Sequence, residues 1–493
     1  MFEAAIPLGT ACQLIAQRKA DAIAVAGEQF SITWGELHRR SNRIARALQS
    51  YGVAFGDLVS VVLPNGPEYI ELCMATWKLG ATPQPLSCRL TESELARILE
   101  LARPAAVCSA HRDIAGWRTL HVADLLGACD NEDDLPEAVS PSWLVSTSSG
   151  STGTPKLIAS AQRGLTNPHL TAAWRICEHD TLLIPAPLHH SSPFICCFFG
   201  LFCGARVVLM SKFQEERVLA SVDQHAVTWM LLVPTAMHRI LRLPSGVREK
   251  YCMSSVHTLW HLGAPCAQTV KERWIRWLGP EVIWELYSAT DASATTAISG
   301  QEWLGHRGSV GRVVEGEIAI VSECGVPVAP GVIGEIYMRR APGIGPTYRY
   351  IGAQARTLDQ GGWESVGDIG WMDAEGYLYL ADRRTDMILV GGANVYPAEI
   401  EAVLEEHPSV KSSAVIGLPD DDLGNRIHAI VQVEGSVDAT DLKTLVANRL
   451  APYKRPKTYE WVSAPLRDEA GKVRRYQLRE QRLAHSQAPC CIL

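Results

Sequence analysis

The alternation of helix and strand signals before Gly308 is the feature that most limits how this chain can fold. A capping box, Thr33-x-x-Glu36, predicts the start of a helix, and Gly52 stands where that helix should end. A second capping box, Thr91-x-x-Glu94, predicts a later helix start. A short apolar run from Leu58 to Leu63 predicts a strand, and a second helix follows from Glu68 to Leu79. Strands separated by helices favour a mainly parallel sheet with helices on both faces. The sequence therefore predicts an α/β fold.

The pattern changes after Gly308, where short β runs replace this alternation. The runs are separated by Gly, Pro and Asp turns, and they span Glu317–Val321, Gly334–Met338 and Gly376–Leu380. They predict a small, antiparallel, β-rich subdomain. Beyond Asp386, helix and strand signals mix again over a stretch long enough for a small second domain of α+β type.

Length and charge exclude several classes of protein. A chain of 493 residues suggests about three domains, two of which large α/β enzymes often merge. The net charge of −7 offers no basic surface to a nucleic acid, so no such partner is expected. Fourteen scattered cysteines without metal-ligand spacing indicate free thiols in a reducing compartment. Met1–Ala5 does not resemble a signal peptide, and we expect a cytoplasmic protein.

Two segments raise the question of a membrane. The most apolar stretch, Phe194 to Met210, carries Arg206 and two glycines, which favours a buried helix and strand over a membrane span. The C-terminal Cys490-Cys491-Ile492-Leu493 matches a prenylation box by letter. Such short matches are common by chance and no polybasic run precedes this one, so prenylation is disfavoured.

The segment from Ser148 to Lys156 carries the clearest chemical signal. Its sequence, Ser-Ser-Gly-Ser-Thr-Gly-Thr-Pro-Lys, follows a short apolar run. Glycines let backbone N–H groups turn inward, hydroxyls add donors and the lysine adds charge, a combination that suits a polyphosphate. The spacing differs from G-x-x-x-x-G-K-[ST], which disfavours a generic P-loop NTPase. A flexible linker is the plain alternative, but it explains neither the preceding strand nor Pro155-Lys156.

Further motifs accompany this loop in order along the chain. They are Pro187–Ser192, Gly263–Pro265, Tyr287–Asp291, Gly367–Gly370, Asp382–Glu401 and Ala470–Arg475. Each alone would be weak, because short turns and single histidines or lysines are usually structural. As an ordered set, from about Ala11 to Glu480, they resemble the adenylate-forming superfamily of acyl-CoA ligases, adenylation domains and luciferases. The resemblance implies an enzyme that uses ATP, Mg²⁺ and coenzyme A.

The resemblance also assigns contacts to the nucleotide. The phosphate-binding residues that it implies are Ser149, Gly150, Ser151, Thr152, Gly153, Thr154 and Lys156. Gly263 and Ala264 are expected to pass close to adenine and substrate, and Tyr287 to stack on adenine. Thr290 would form a hydrogen bond to a phosphate, and Asp291 would bind Mg²⁺.

Two residues of the Tyr287–Asp291 motif depart from the family pattern. Ser288 replaces a glycine and adds bulk beside the pocket. Asp291 replaces a glutamate, which draws the carboxylate back by roughly 1.5 Å, about one C–C bond. Aspartate is still a hard oxygen ligand, so direct or water-mediated Mg²⁺ binding is retained as the expectation.

Two later motifs imply contacts to the ribose and to the thiol substrate. By the resemblance, Asp368 accepts hydrogen bonds from the ribose hydroxyls, and Arg383 is the second ribose contact. Gly391 and Gly392 would make room for a pantetheine arm. The usual hinge residue, aspartate or lysine, is here Thr385, but a hinge needs only to absorb backbone rotation.

Two residues are assigned roles beside the reacting carboxylate. His190 matches the side chain that gates the acyl pocket, and Lys472 matches the lysine that reaches into the site during adenylation. The implied catalytic set is thus Lys472, Thr290, Asp291 and His190. The implied architecture is an N-terminal adenylation domain over residues 1–381, a hinge at 382–386, a mobile C-terminal domain at 387–483 and a disordered tail at 484–493.

The resulting hypothesis is an ATP-dependent carboxylic acid–CoA ligase that passes through an acyl-adenylate. Trp260–Cys266, Trp284–Tyr287 and Thr347–Gly352 resemble ligases for bile acids and related steroid side chains, which suggests a bulky cyclic, aryl or medium-chain acid. The main alternative is a free-standing enzyme that loads a carrier-protein thiol in trans. The sequence is also compatible with a homodimer. A nucleotide-binding protein without activity is a third hypothesis. A serine hydrolase is disfavoured, because Ser309 lacks the first glycine of a nucleophile elbow.

Overall fold

A computed structural model describes residues 4–110, 113–149, 155–291, 293–341, 343–358, 361–383, 386–390, 393–420, 423–433, 438–468 and 471–486. Several predicted site residues lie outside the described residues: Gly150, Ser151, Thr152, Gly153, Thr154, Gly391 and Gly392. Thr385 and the C-terminal cysteines lie outside them as well. The described cysteines are free thiols, and Cys12, Cys73 and Cys196 are among the buried ones.

The first part of the chain forms helices and strands in alternation, as predicted. Its elements are α1 (Leu8–Lys19), β1 (Ile23–Ala26), β2 (Ser31–Thr33), α2 (Trp34–Ser50), β3 (Leu58–Val62), α3 (Pro67–Lys78), β4 (Thr82–Pro85), α4 (Glu92–Ala102), β5 (Ala106–Ser109), β6 (Thr119–His121) and α5 (Val122–Ala128). Both predicted capping boxes are present, with Thr33 accepting from the Glu36 backbone and Thr91 accepting from that of Glu94. Strands β3 to β6 form a parallel sheet in the order β4-β3-β5-β6.

The second part supplies the strands that carry the site. Its elements are β7 (Val145–Ser149), β8 (Pro155–Ser160), α6 (Pro168–Ala173), β9 (Thr181–Ile184), α7 (Ser191–Cys203), β10 (Arg206–Leu209), α8 (Glu215–His225), β11 (Trp229–Leu232), α9 (Pro234–Leu241), α10 (Ser245–Arg248), β12 (Thr258–His261), α11 (Gln268–Leu278), β13 (Ile283–Tyr287), β14 (Thr295–Ser299) and α12 (Gly300–Trp303). Strands β1, β10, β9, β11, β12 and β13 are parallel neighbours in that order.

Helix α7 explains the apolar stretch from Phe194 to Met210. One core cluster joins α7 to residues of both parallel sheets, including Val61 and Leu231. A helix covered on all sides has no polar face, so its sequence is apolar throughout. The predicted buried helix and strand are confirmed as α7 and β10. Among the described helices, none has the length and apolar character needed to cross a membrane.

The β-rich part is antiparallel, as predicted, but it is not a separate sheet. Its strands are β15 (Ser309–Glu315), β16 (Glu317–Val321), β17 (Gly334–Arg339), β18 (Tyr348–Ile351), β19 (Arg356–Thr357), β20 (Glu364–Met372) and β21 (Leu378–Arg383). Strand β15 pairs with β14 on one side and β21 on the other, which joins this part to the main sheet. The exception is β18, which pairs with β8.

The strand predicted at Gly376–Leu380 is displaced. Asp373 accepts from the backbone N–H of Tyr377 at 2.9 Å, and Gly376 has a φ of 84°. These contacts form a tight turn, so the strand β21 begins only at Leu378.

The C-terminal part has its own core. Its elements are β22 (Ile388–Val390), β23 (Ala393–Val395), α13 (Pro397–Leu404), β24 (Val410–Asp420), β25 (Gly424–Val433), α14 (Ala439–Arg449), a 3₁₀ turn (Pro452–Lys454), β26 (Thr458–Val462) and α15 (Arg475–Ser486). Leu478 and Leu483 of α15 pack against the cluster around Ile416. Helix α15 ends at Ser486, three residues into the segment predicted as a tail. Residues 487–493 lie outside the described part of the chain.

Candidate active site

Three loops meet at one edge of the main sheet because they follow neighbouring parallel strands. The loop after β9 carries His190, the loop after β12 carries Gly263 and the loop after β13 carries Thr290. Ligands of open α/β sheets bind at the carboxyl ends of the strands, which is this edge. Sequence motifs far apart in the chain are thus brought to a common place.

The hydroxyl-rich segment joins two strands of a hairpin. Strands β7 and β8 are antiparallel, with Ser149 opposite Pro155 and Ser148 opposite Lys156. Lys156 therefore lies on a strand of this sheet. Its Nζ donates to Oδ2 of Asp291 at 2.6 Å and to the hydroxyl of Tyr350 at 2.9 Å.

Tyr350 completes a three-membered polar cluster with Lys156 and Asp291. Its hydroxyl donates to the same Oδ2 of Asp291 at 2.5 Å, and its ring centroid lies 4.3 Å from the Lys156 Nζ. Tyr350 lies on β18, where it faces Ile158 of β8, so the small sheet holds both donors. The cluster connects the hairpin of β7 and β8 to the loop after β13.

The cluster keeps both charges in place at neutral pH. Burial alone would raise the pKa of Asp291, but hydrogen bonds from Lys156 and Tyr350 outweigh it and lower that pKa. Burial would likewise lower the pKa of Lys156, and its bonds to Asp291 and Tyr350 outweigh that effect and raise the pKa. Asp291 is therefore an ionised carboxylate beside a protonated lysine.

A chain of hydroxyls links the other motifs. Ser191, the first residue of α7, shares a hydrogen bond with Thr290 at 3.0 Å and donates to Ser146 at 3.3 Å. The N-terminus of α7 thus lies beside Thr290, and the backbone N–H groups and dipole of a helix N-terminus favour an anion. Phosphate oxygens bound near Thr290 would be stabilised by the N–H groups and by the dipole of α7.

The predicted adenine and ribose residues are in direct contact. Tyr287 donates its hydroxyl to Oδ2 of Asp368 at 2.7 Å. Asp368 on β20 lies opposite Arg383 on β21, so the two predicted ribose contacts are cross-strand neighbours. Gly263 has a φ of 87°, a conformation that a glycine adopts without strain.

The departure at Ser288 is accommodated within its own loop. Its hydroxyl donates to the carbonyl of Ala294 at 3.1 Å and accepts from Thr295 at 3.3 Å. The hydroxyl therefore binds to the loop that bears Asp291 and stabilises it.

His190 is the N-cap residue of α7, and it lies within electrostatic reach of Lys472 and Arg474. Burial, together with the positive charges of Lys472 and Arg474, lowers the pKa of His190 to about 4. The ring of His189 lies 4.2 Å from that of His190. The C-terminal part of the chain thus brings a lysine to the same edge of the sheet as the nucleotide motifs.

The turn that presents Lys472 is braced on both sides. Asp468 accepts from the Lys472 backbone N–H at 2.9 Å, and Arg467 donates to the carbonyl of Gly471 at 3.3 Å. Gly471 has a φ of 75°, and an added Cβ would lie 2.7 Å from Oγ1 of Thr235. Only glycine fits between this turn and helix α9.

The donor set around Asp291 fits a magnesium ion that arrives with the nucleotide. In the described residues, no group of three or more His, Cys, Asp or Glu side chains could hold a metal. Mg²⁺ is commonly bound by one or two carboxylates together with substrate phosphates, rather than by a complete protein cage. Asp291, ionised and partly exposed, can supply the carboxylate, with the hydroxyl of Thr290 beside it.

Sequence reasoning missed three polar residues of this site. Tyr350 lies in a segment whose sequence signal is a likeness to ligases for bulky acids, although an aromatic residue alternating along a strand could have suggested a role. Ser191 adjoins the predicted His190, and its hydroxyl carries no separate sequence signal. Arg467 has no motif signal, because its role depends on contacts made in three dimensions.

The lowered pKa of His190 makes a prediction about pH. Because the imidazole is neutral above about pH 5, its titration should not shape activity between pH 5.5 and 7.5. We expect His190→Gln, which keeps a neutral polar side chain, to change the rate of adenylation but to leave its pH profile parallel to that of the wild type. A wild-type limb near pH 6.5 that disappears in His190→Gln, but not in His189→Gln, contradicts this assignment.

The fold and the site together define a two-domain enzyme of the adenylate-forming class. Family profiles agree: that of the AMP-binding enzyme matches residues 12–349, and that of its C-terminal domain matches residues 399–472. The chain belongs to the AMP-binding enzyme family.

Individual relatives cover nearly the whole chain. A feruloyl-CoA synthase of Amycolatopsis sp is 32% identical and covers 94% of this chain and 97% of its own. The fatty acid–[acyl-carrier-protein] ligase ScoC of Streptomyces coeruleorubidus is 29% identical and covers 94% of each. The solved o-succinylbenzoate CoA synthetase of Bacillus subtilis, in complex with the acyl-adenylate intermediate OSB-AMP, has a TM-score of 0.84 at 28% identity, covering 97% of this chain and 98% of that one. The same synthetase has been solved with ATP and magnesium ion, at a TM-score of 0.82 and 28% identity over 96% and 100% of the two chains.

Proposed function

We propose that this chain is an AMP-forming acid–CoA ligase, which converts a carboxylic acid and ATP into an acyl-adenylate and then into a thioester of coenzyme A. The observation that carries this proposal is the position of Lys472. Its turn packs on α9, which begins directly after β11 at the sheet edge where Asp291 lies, and its charge acts on His190 at that edge. A nucleotide-binding protein without activity has no need of a braced lysine at that place.

In the first half-reaction the acyl carboxylate attacks the α-phosphorus of ATP and pyrophosphate leaves. Negative charge gathers on the α-phosphoryl oxygens, so the protein contributes positioning and positive charge rather than covalent chemistry. Lys156, the N-terminus of α7 and Lys472 supply that charge. Asp291 would hold a Mg²⁺ ion that arrives with the nucleotide, and that ion would supply further positive charge to neutralise the leaving pyrophosphate.

The neutral imidazole of His190 suits a position beside the acyl group. A charged histidine would pair with the attacking carboxylate and weaken it as a nucleophile, whereas a neutral one leaves it reactive. Tyr287 and Asp368, joined by their hydrogen bond, would hold adenine and ribose, with Arg383 opposite Asp368.

In the second half-reaction a thiolate attacks the acyl carbon and AMP leaves. We assign this step to a second position of the C-terminal domain, reached by rotation at residues 382–386. Rotation withdraws Lys472, whose charge is no longer needed, and brings the Gly391-Gly392 segment to the thiol. One site then serves two reactions through two domain positions.

The acyl acceptor is proposed to be coenzyme A itself. A feruloyl-CoA synthase and an o-succinylbenzoate CoA synthetase are similar to this chain over nearly its full length. A ligase for an acyl-carrier protein is similar as well, so a carrier-protein thiol is the second candidate. Both acceptors present a pantetheine thiol.

The acid is proposed to be bulky and cyclic or aromatic. His189-His190-Ser191-Ser192 offers no carboxylate to hold an α-ammonium, which disfavours amino acids. The solved relative carries an o-succinylbenzoyl group, and another relative is named for feruloyl-CoA. The rings of Trp174, Trp260 and Trp284 lie 5.4 and 5.5 Å apart in succession, on the sheet face that packs against α7. We further propose a cytoplasmic location, where ATP and coenzyme A are available.

A pyrophosphate-release assay over a panel of acids tests the proposal. Aryl, steroid-type, medium-chain and amino acids are compared, each with and without coenzyme A. We expect release with the cyclic or aryl acids and a thioester only when coenzyme A is present. Absence of acid-dependent release across the panel, with magnesium and ATP supplied, would falsify the proposed activity.

The metal role of Asp291 makes a separate prediction. Asp291→Ala removes the only carboxylate of the Lys156 cluster, so we expect adenylation to fall by about a hundredfold and to require much more Mg²⁺. Asp291→Glu restores the family's side chain and should be tolerated. The measurement is a Mg²⁺ titration of adenylation at fixed ATP, and full activity of Asp291→Ala across that titration contradicts the role.

A further inference from the structure

Helix α9 makes a polar contact with the C-terminal domain that no motif indicates. Arg242, the residue that follows its last turn, donates from Nη1 to the backbone carbonyls of Pro408 and Val410 at 2.9 and 3.0 Å. Pro408 lies in the segment between α13 and β24, and Val410 is the first residue of β24. A guanidinium that bridges two carbonyls fixes the position of that segment relative to α9.

The contact is one end of a continuous face of α9. Thr235 lies against Gly471, and His238 is within electrostatic reach of Glu405 and Arg467. Positions 235, 238 and 242 are separated by three and four residues, so they share one side of the helix. The C-terminal domain therefore lies against both ends of this face, at Thr235 and at Arg242, with His238 between them.

The segment held by Arg242 leads directly to the turn of Lys472. Arg467 donates to Ser412 on β24 at 3.1 Å, to Glu405 at 3.0 Å and to the carbonyl of Gly471 at 3.3 Å. The path thus runs from Arg242 through β24 and Arg467 to Lys472. A shift of the domain on α9 would move the Lys472 turn with it.

We infer that Arg242 is a positioning residue for Lys472: it latches the C-terminal domain in the orientation that supports adenylation. The inference rests on the proposed function, in which the domain must leave this orientation before thiol transfer. As a positioning residue, Arg242 is proposed to act through the domain contact and not on the nucleotide or the acid. Arg242 raises the fraction of enzyme molecules in which Lys472 occupies its adenylation position.

A latch of this kind has opposite effects on the two half-reactions. Loss of both hydrogen bonds from a charged donor that is partly exposed should lower the adenylation-competent fraction about tenfold. Thiol transfer uses the other orientation, so it should be unchanged or faster. A residue that merely stabilises the fold would lower both rates together.

The test compares Arg242→Ala, Arg242→Lys and a matched control, Arg239→Ala. Arg239 lies on the same helix, but it donates to Glu215 and lies over the ring of Phe213, both in the N-terminal domain. For each protein the adenylation rate is measured by pyrophosphate release. Thiol transfer is measured separately, with pre-made acyl-adenylate and coenzyme A.

We expect Arg242→Ala to lower the ratio of adenylation to thiol transfer about tenfold, Arg242→Lys to restore part of it and Arg239→Ala to leave it unchanged. The ratio is internal to each protein, so partial loss of folded enzyme does not alter it. An unchanged ratio in Arg242→Ala, or an equal change in Arg239→Ala, overturns the latch. The wild-type rates report on the proposed function itself, so the two failures are distinguishable.

Discussion

Lys472→Ala should abolish adenylation while leaving thiol transfer from a pre-made acyl-adenylate largely intact. The structure holds Lys472 on a braced turn, and its charge acts on His190 at the sheet edge where we propose that the carboxylate attacks the α-phosphorus. Removing one preorganised charge from such a site costs a hundredfold or more, roughly 3 kcal/mol of transition-state stabilisation. Thiol transfer takes place after the domain has rotated, and a charge withdrawn from the site cannot influence it.

The measurement is again a comparison of half-reactions on one preparation. Lys443→Ala is the matched control, because Lys443 is an exposed lysine of the same domain whose ammonium lies 5.9 Å from the ring of Tyr459. We expect the control to behave as the wild type in both assays. Equal loss of both half-reactions in Lys472→Ala, with the protein folded, refutes the assignment.

The local elements of this fold could be predicted from sequence because their signals are local. The capping boxes at Thr33 and Thr91 fixed two helix starts, and the apolar run of α7 indicated complete burial. The position of β21 could not be predicted in the same way. Its start depends on a turn closed by Asp373, and the Gly376-Tyr377 part of the run resembles a strand until that hydrogen bond is known.

The residues of the site also fall into those that the sequence predicts and those that it does not. Tyr287, Thr290, Asp291 and Lys156 were found because motifs name them, and the geometry brings them together through neighbouring strands. The partners that hold them were not found. Tyr350 reaches Asp291 only because β18 pairs with β8, and a pairing between strands so distant in sequence leaves no periodic signal.

Tyr350 also gives a physical reason why Asp291 can stand where the family pattern has the longer glutamate. The Oδ2 of Asp291 takes hydrogen bonds from both Lys156 and Tyr350, so a short carboxylate is held firmly by two donors on a rigid sheet. The departure from glutamate therefore does not imply a lost function. It weakens the hypothesis of a nucleotide-binding protein without activity.

Gly392→Leu should block thiol transfer and spare adenylation. Gly392 lies outside the described residues, and its role is proposed from the diglycine motif that the family uses beside a pantetheine arm. A branched side chain at that position would fill a passage that forms only after domain rotation, so the first half-reaction should continue at the wild-type rate. Gly246→Leu is the control, because Gly246 is exposed and an added Cβ there meets nothing within 4 Å.

The same assay decides between the two acceptors, because both deliver a thiol through a pantetheine arm. Wild type and Gly392→Leu are supplied with an accepted acid, ATP and Mg²⁺, and then with either free coenzyme A or a carrier protein bearing a phosphopantetheine. We expect wild type to form the coenzyme A thioester and Gly392→Leu to release pyrophosphate without forming a thioester. If wild type releases pyrophosphate yet loads only the carrier, the acceptor is the carrier thiol, and the ligase activity proposed above is replaced by loading in trans. If Gly392→Leu forms the thioester at the wild-type rate with either acceptor, the diglycine does not line the path of the pantetheine arm, and its proposed role is wrong.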